Sequence, residues 1–380
     1  MKRILSLLLL LTLLPLPRAL AAGSTESAGL PIAAPSAILM EKETGQTVYE
    51  KNADERLFPA SVTKVMTLLL ILEDLDAGKL SLDDTVTASA RAASFGGSCV
   101  YLEQGERMSV HEMIKCIAVV SANDCAVAMA EHLAGSESVF VERMNRRAEE
   151  LGLKNTHFTN CTGLFEDPEH YTSARDVALM SRELLRHPRI KDYSSIWMDS
   201  IRGGAFELTN TNKLVRWYEG CTGLKTGFTS QALYCVSATA ERNGLEFIAV
   251  VMHGETSDSR NSDATTLLNY GFAHYMLCPL SVEGGLPGLP VELGRAERVQ
   301  LETRGAAYAL LPRSGTQPEY RLELPEAVRA PVERGQELGT LHVTAEGREV
   351  AALPLVAAEE VPALGFGGLM LLLAGRLLGM

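Results

Sequence analysis

The sequence contains little cysteine and little aromatic side chain. Its 380 residues include 7 Cys, and Phe, Trp and Tyr together make up 6%. Seven cysteines are too sparse for a disulfide scaffold, and no C-x-x-C pair is present to build a zinc or redox site. His111 and Glu112 begin like the zinc motif H-E-x-x-H, but Lys115 occupies its last position. The sequence therefore predicts no metal site.

Positive charge is also scarce. Lys and Arg number 35 against 47 Asp and Glu, so the formal net charge is −12. This balance argues against a nucleic-acid partner, because duplex binding depends on Lys and Arg neutralising phosphates. Apolar residues at 46% and charged residues at 22% are typical of a soluble globular protein. These proportions exclude a disordered polyelectrolyte and a multi-span membrane protein.

The N-terminus has the three-part pattern of an export signal. Lys2 and Arg3 precede the apolar run 4–14, and Ala19-Leu20-Ala21 provides a small-x-small cleavage site. We therefore predict a signal peptide over residues 1–21 and a linker over 22–35. An uncleaved anchor helix is the alternative, although the run is short for a bilayer.

The C-terminus is also apolar. Residues 361–380 carry one charge, Arg376, and are numerous enough to reach across a bilayer. We predict that this tail is a membrane anchor and that the exported protein lies at the extracytoplasmic face. A helix packed on the protein's own core is the alternative.

The order of elements predicts an α+β fold. A hairpin pattern near residues 37–49 is followed by helical patterns, and strand patterns return at 234–238 and 247–252, joined by an Asn-Gly turn. We expect the first and last strands to form one antiparallel sheet, with the helices inserted between them. Residues 36–280 then form the main domain, and the alternating runs of 289–356 form a small all-β domain.

A possible nucleophile begins an apolar helix. In Ser61-Val62-Thr63-Lys64, positions i and i+3 lie on one helix face, so the Lys64 amine can reach the Ser61 hydroxyl. A neutral amine there could accept the seryl proton if burial lowers its pKa. N-capping of this helix would explain a serine at position 61, but it would not explain a lysine at position 64.

Two further polar triplets lie at breaks between apolar elements. Ser121-Ala122-Asn123 separates two helices. Capping of the second helix needs only one polar residue, so the additional one suggests a further role. Lys225-Thr226-Gly227 precedes the paired strands, and its glycine permits close ligand approach. An ordinary turn is the alternative interpretation of this second triplet.

The order S-x-x-K, S-x-N, K-T-G resembles the penicillin-binding protein and serine β-lactamase superfamily. Three further stretches are similar to the D-alanyl-D-alanine carboxypeptidases of low molecular mass, serine peptidase family S11: His170-Tyr171-Thr172-Ser173-Ala174, Gly223 to Thr229, and Leu267 to Phe272. The resemblance implies a β-lactamase/transpeptidase-like domain over 36–280, no cofactor, and a peptidoglycan pentapeptide substrate.

The resemblance also implies roles for the acyl-transfer residues. Ser61 attacks the carbonyl between two D-alanines, Lys64 is its base, and Ser121 relays a proton to the departing D-alanine. Asn123 holds the substrate amide or Lys64. The same serine would be acylated by β-lactam antibiotics.

Further residues are implied in substrate binding. Lys225 and Thr226 bind the terminal carboxylate, beside Gly227, and the backbone N–H groups of Ser61 and Phe228 form the oxyanion hole. Arg260 adds to carboxylate binding. Two alternatives remain at this point: a serine β-lactamase, and a non-catalytic peptidoglycan-binding surface protein.

Overall fold

A computed structural model describes residues 29–165, 167–280, 285–304, 308–313, 318–345 and 347–378. The predicted signal peptide, 1–21, and the first part of the predicted linker lie outside these residues.

The chain alternates helices and strands before ending in a mostly β segment. The helices are α1 (Lys64–Asp76), α2 (Ala90–Ala93), α3 (Val110–Val119), α4 (Asn123–Ala134), α5 (Glu137–Glu150), α6 (Ala174–Leu184), α7 (Lys191–Ser194), α8 (Leu214–Trp217), α9 (Ser257–His274) and α10 (Phe366–Leu378). The strands are β1 (Ser36–Glu41), β2 (Thr47–Lys51), β3 (Thr85–Thr87), β4 (Arg107–Ser109), β5 (Met198–Ile201), β6 (Phe206–Thr209), β7 (Cys221–Thr229), β8 (Leu233–Arg242), β9 (Leu245–Gly254), β10 (Tyr275–Pro279), β11 (Leu289–Glu292), β12 (Arg298–Val299), β13 (Leu301–Thr303), β14 (Tyr308–Pro312), β15 (Glu319–Glu323), β16 (Val328–Arg329), β17 (Glu337–Ala345) and β18 (Arg348–Ala357).

A five-stranded antiparallel sheet forms the centre of the main domain, in the order β2-β1-β9-β8-β7. The first strand pairs with β9, with Ile38 opposite Val250. Asn243 and Gly244 both have positive φ, 53° and 79°, as the tight turn between β8 and β9 requires. The predicted α+β fold, with first and last strands in one antiparallel sheet, is confirmed.

The sheet has a core on each face. Ile248, Val250 and Met252 of β9 belong to the core formed with α1 and α3 to α6, whereas Phe247 and Val251 belong to the core formed with α9. This alternation follows from the two-residue period of a strand. Strand β9 is apolar along almost its whole length because helices cover both faces of the sheet.

The segment that carries Ser61 differs from the predicted continuous helix. Ala60–Thr63 is a 3₁₀ turn, and the α-helix begins only at Lys64. Since a 3₁₀ helix has three residues per turn, positions 61 and 64 are still in line. Every residue from Lys64 to Leu72 is buried, as the apolar pattern predicts.

Two boundaries lie earlier than the sequence predicts. The last part of the predicted linker is packed rather than free, because Ile32 and Ala34 are buried and the Asp263 carboxylate accepts bonds from the Ala33 and Ala34 N–H groups. The sequence pattern from Thr265 through Tyr270 to Tyr275 predicts a final helix. Helix α9 already starts at Ser257, because a capping box at Thr256 starts it in a polar stretch.

The C-terminal segment is built from short sheets. These are β12-β11-β16 and β13-β18-β17-β15, while β14 pairs back with β10. Helix α10 follows, with Phe366, Met370 and Leu373 exposed. Within the described part of the chain, no helix combines the length and apolar character needed to cross a membrane.

Candidate active site

The structure brings Ser61 and Lys64 together. Lys64 Nζ lies 3.0 Å from Ser61 Oγ, and the lysine side chain is fully buried. Nζ also donates to Asn123 Oδ1 at 2.6 Å and to the carbonyl of Thr162 at 2.8 Å. The amine therefore joins three segments: the 3₁₀ turn, the start of α4, and the loop after α5.

Burial lowers the pKa of Lys64 from 10.5 to about 7. The cause is desolvation, because transfer out of water penalises the charged form of an amine. A neutral amine has two N–H groups and one lone pair. With the two N–H groups directed to Asn123 and Thr162, the lone pair is left for the Ser61 hydroxyl.

The turn that carries Ser61 is tightly held. Ala60 has a positive φ of 46°, which is unfavourable for a residue with a Cβ. Gly163 packs so closely that a Cβ there would lie 1.8 Å from the Ala60 carbonyl oxygen. A Cβ at Gly227 would lie 2.9 Å from Ser61 N. Only glycine at 163 and 227 allows this approach.

Asn123 and Ser121 lie at the start of α4. Asn123 Nδ2 donates to the Gly96 carbonyl at 2.8 Å, which fixes the amide so that Oδ1 faces Lys64. Ser121 has a positive φ of 65°. Its buried Oγ makes no hydrogen bond to any residue that the structure describes. A buried hydroxyl without a partner is costly, and it is typical of a group that meets a substrate.

Strand β7 forms the opposite side of the site. Lys225 is buried, with Nζ donating to the Thr226 carbonyl at 2.9 Å, and Thr226 Oγ1 donates to Thr211 Oγ1 at 2.7 Å. Burial lowers the pKa of Lys225 well below its usual value, and the nearby charges of Lys64 and Arg260 lower it further. The protonation of Lys225 therefore depends on the charge of these two neighbouring side chains.

Phe228 lies near the end of β7, and Arg260 lies on α9, behind that end of the strand. The Phe228 ring is 54% exposed and stacks on Tyr234 with ring centroids 4.4 Å apart. Arg260 is buried, and its guanidinium lies 5.9 Å from the centroid of the same Tyr234 ring. Its Nη2 donates to Asn261 Oδ1 at 2.9 Å.

Sequence reasoning missed two contributors, Thr162 and Gly163. Both belong to the loop after α5, where Asn160 Oδ1 accepts the Gly163 N–H at 2.6 Å. The triplet Cys161-Thr162-Gly163 has no motif that indicates this contact. No group of three or more His, Cys, Asp or Glu able to hold a metal occurs among the residues described.

A serine and a depressed-pKa lysine at the start of a buried helix, facing a K-T-G strand, define the penicillin-recognising class of serine enzymes. Residues 22–256 match the family described as D-alanyl-D-alanine carboxypeptidase, and residues 289–363 match the C-terminal domain of penicillin-binding protein 5. The chain belongs to this D-alanyl-D-alanine carboxypeptidase family, and it is a serine-type enzyme of that activity.

Two curated relatives match nearly the whole chain. D-alanyl-D-alanine carboxypeptidase DacF of Bacillus subtilis strain 168 is 42% identical over 377 residues, covering 96% of both chains. DacA of Escherichia coli strain K12 is 34% identical over 353 residues, covering 90% of this chain and 87% of the relative. The predicted family and activity are confirmed.

Solved structures show the same fold. Penicillin binding protein 5 from Haemophilus influenzae superposes with a TM-score of 0.80 at 32% identity, covering 87% of this chain and 98% of that one. Penicillin-binding protein D2 from Listeria monocytogenes, solved in an ampicillin-bound form, has a TM-score of 0.59 at 33% identity, covering 64% and 99%. The β-lactamase and the non-catalytic alternatives are not favoured by these relatives.

Proposed function

We propose that Ser61 is the nucleophile that removes the terminal D-alanine from peptidoglycan stem peptides. The observation that carries the proposal is the placement of Ser61 Oγ 3.0 Å from an amine whose pKa is lowered to about 7. The Lys64 lone pair takes the seryl proton as Oγ attacks the carbonyl between the two D-alanines. The products of this step are a tetrahedral oxyanion and a protonated amine.

The oxyanion is bound by the backbone N–H groups of Ser61 and Phe228. The close packing of Gly227 against Ser61 N supports this role, since it sets the strand beside the nucleophile. Donors fixed in advance stabilise the developing charge without reorganisation.

Ser121 passes the proton to the nitrogen of the departing D-alanine. Its Oγ is buried and has no partner among the described residues, so its hydrogen-bonding capacity is available to a substrate. Proton transfer breaks the C–N bond, releases D-alanine and leaves an ester on Ser61. Lys64 is neutral again and accepts a proton from the water that hydrolyses this ester.

Lys225 and Thr226 bind the terminal carboxylate, and Gly227 lets the substrate backbone approach β7. Asn123 holds Lys64 through its Oδ1 and also binds the substrate amide. The side chain of Arg260 makes the end of β7 more positive, which supports carboxylate binding. β-Lactams acylate the same serine, as the ampicillin-bound Listeria relative suggests.

We further propose that residues 1–21 direct export and that the tail, 361–380, attaches the protein to the extracytoplasmic face of the membrane. The exposed apolar side chains Phe366, Met370 and Leu373 on α10 support an attachment at the interface. Residues 36–280 form the catalytic domain, and residues 289–356 form a β domain between it and the tail.

The test is release of D-alanine from a peptide ending in D-Ala-D-Ala. The wild type releases D-alanine, and Ser61→Ala releases none while keeping the same melting temperature. Ser138→Ala, which changes an exposed serine, retains full release. Mass spectrometry of the penicillin-treated wild type locates the adduct on the peptide containing Ser61.

Activity that survives Ser61→Ala contradicts the nucleophile assignment. Rapid catalytic turnover of penicillin, in place of a slowly released adduct, favours a β-lactamase.

A further inference from the structure

His170 is buried between two segments that form the active site, and it makes a hydrogen bond to neither Ser61 nor Lys64. Only 1% of its surface is exposed. One ring nitrogen, Nε2, lies 2.8 Å from Thr63 Oγ1, on the turn that carries the nucleophile. The other, Nδ1, lies 3.0 Å from the backbone nitrogen of Thr159, in the loop that supplies the Thr162 carbonyl.

These partners determine the tautomer. The Thr159 N–H can only donate, so Nδ1 accepts and the ring proton is on Nε2. Nε2–H therefore donates to Thr63 Oγ1, and the Thr63 hydroxyl donates its own proton to the Ala60 carbonyl at 2.8 Å. Burial lowers the pKa of His170 to about 4, so the ring stays neutral at physiological pH.

The hydrogen bonds run in one direction from loop to nucleophile turn. Thr159 N–H binds His170, His170 binds Thr63, and Thr63 binds the carbonyl of Ala60, the residue before the nucleophile. Ala60 has a strained positive φ, so its conformation needs support from its neighbours. Gly163, in the same loop, contacts the same carbonyl.

We infer that His170 is a positioning residue for acylation. Its bonds to Thr63 and Thr159 fix the position of Ser61 relative to the Thr162 carbonyl. The inference rests on the proposed function, because it gives His170 a purpose only if Ser61 is the nucleophile. Thr63, inside S-x-x-K, becomes a second positioning residue of the same chain of bonds.

The test measures the rate of Ser61 acylation by a fluorescent penicillin alongside the melting temperature. Thr63→Val keeps the shape of the side chain but removes both bonds of its hydroxyl. Thr239→Val is the matched control: Thr239 is also fully buried, its Oγ1 accepts a bond from Thr222 at 2.7 Å, and it pairs with Gly223, four residues from Gly227.

Two His170 variants separate the two bonds. The amide nitrogen of His170→Gln can reach the position of Nε2 and donate to Thr63, whereas the shorter His170→Asn can only replace the Nδ1 acceptor. His170→Leu replaces neither.

We expect Thr63→Val and His170→Leu to slow acylation roughly 10- to 100-fold, as displacement of a nucleophile by about 1 Å does. The acylation rate of Thr239→Val stays within about twofold of the wild-type rate. This holds even if its melting temperature falls as far as that of Thr63→Val. His170→Gln acylates faster than His170→Asn, because the bond to Thr63 matters more for Ser61.

Several results would overturn the inference. One is wild-type acylation in Thr63→Val, and another is equal rates in the Gln, Asn and Leu variants. A third is a fall in the acylation rate of Thr239→Val that is in proportion to its fall in melting temperature. If the wild type itself forms no adduct at Ser61, the proposed function fails instead, so the two failures are distinguishable.

Discussion

Lys64→Met is expected to reduce acylation of Ser61 about 10²- to 10⁴-fold, the range typical for loss of a positioned general base. Methionine matches the length and apolar stem of lysine and suits a fully buried position. It removes the lone pair that faces Ser61 Oγ at 3.0 Å. A stopped-flow or gel assay with fluorescent penicillin measures the rate, and circular dichroism verifies the fold.

The matched control is Lys79→Met. The Lys79 side chain is 72% exposed, just beyond the end of α1, and Nζ lies 3.9 Å from Asp74 Oδ1. This variant loses one lysine from the same region and should acylate at the wild-type rate. If Lys64→Met also acylates normally, another group takes the seryl proton.

Gly163→Ala is expected to give the second large effect. The added Cβ would lie 1.8 Å from the Ala60 carbonyl and 2.5 Å from Thr63 Oγ1, so the nucleophile turn must move. Gly163 also has a φ of 72°, which disfavours alanine. Strain and overpacking together should lower the free energy of unfolding by about 2–5 kcal/mol. Acylation should fall about 100-fold, because the turn bears Ser61.

Gly152→Ala separates backbone strain from steric displacement. Gly152 has nearly the same φ, 70°, but nothing lies within 4 Å of its would-be Cβ. This variant should lose only about 1–2 kcal/mol of unfolding free energy and none of its acylation rate. Equal acylation losses in the two variants would show that contact with Ala60 is unimportant.

Local pattern predicts much of the fold. The all-round apolar run after Ser61 identifies a fully buried helix, and the Ser109 to Glu112 capping box marks the start of α3. The Asn-Gly pair fixes the turn between β8 and β9. Each of these features depends on residues close together in the sequence, so it is visible without coordinates.

The part of the site that escapes sequence reasoning depends on long-range contacts. The Thr162 carbonyl accepts a hydrogen bond from Lys64, which is 98 residues away in the sequence. His170 is hydrogen-bonded to Thr63, which is 107 residues away. A backbone carbonyl leaves no mark in a sequence, and a lone histidine has no spacing to indicate its partner. The strained φ of Ala60 is likewise imposed by packing and not by local propensity.

The N-terminal segment shows the same limit. Residues 22–35 are small and polar with proline, which is typical of a linker. The Asp263 carboxylate on α9 nevertheless fixes the N–H groups of Ala33 and Ala34, about 230 positions away. Composition predicts local flexibility but cannot show that a distant carboxylate will bind the backbone.

The central claim is that Lys64 loses its own proton near pH 7 and that the neutral amine takes the proton of Ser61. Its most direct test is the rate of penicillin acylation of the wild type between pH 5 and 9. A base with a pKa of about 7 predicts a rate that rises about tenfold per pH unit below pH 7 and levels off above it. His170, with a pKa of about 4, cannot produce this inflection. A rate that keeps rising through pH 9 would mean a protonated Lys64 at neutral pH and would contradict the mechanism.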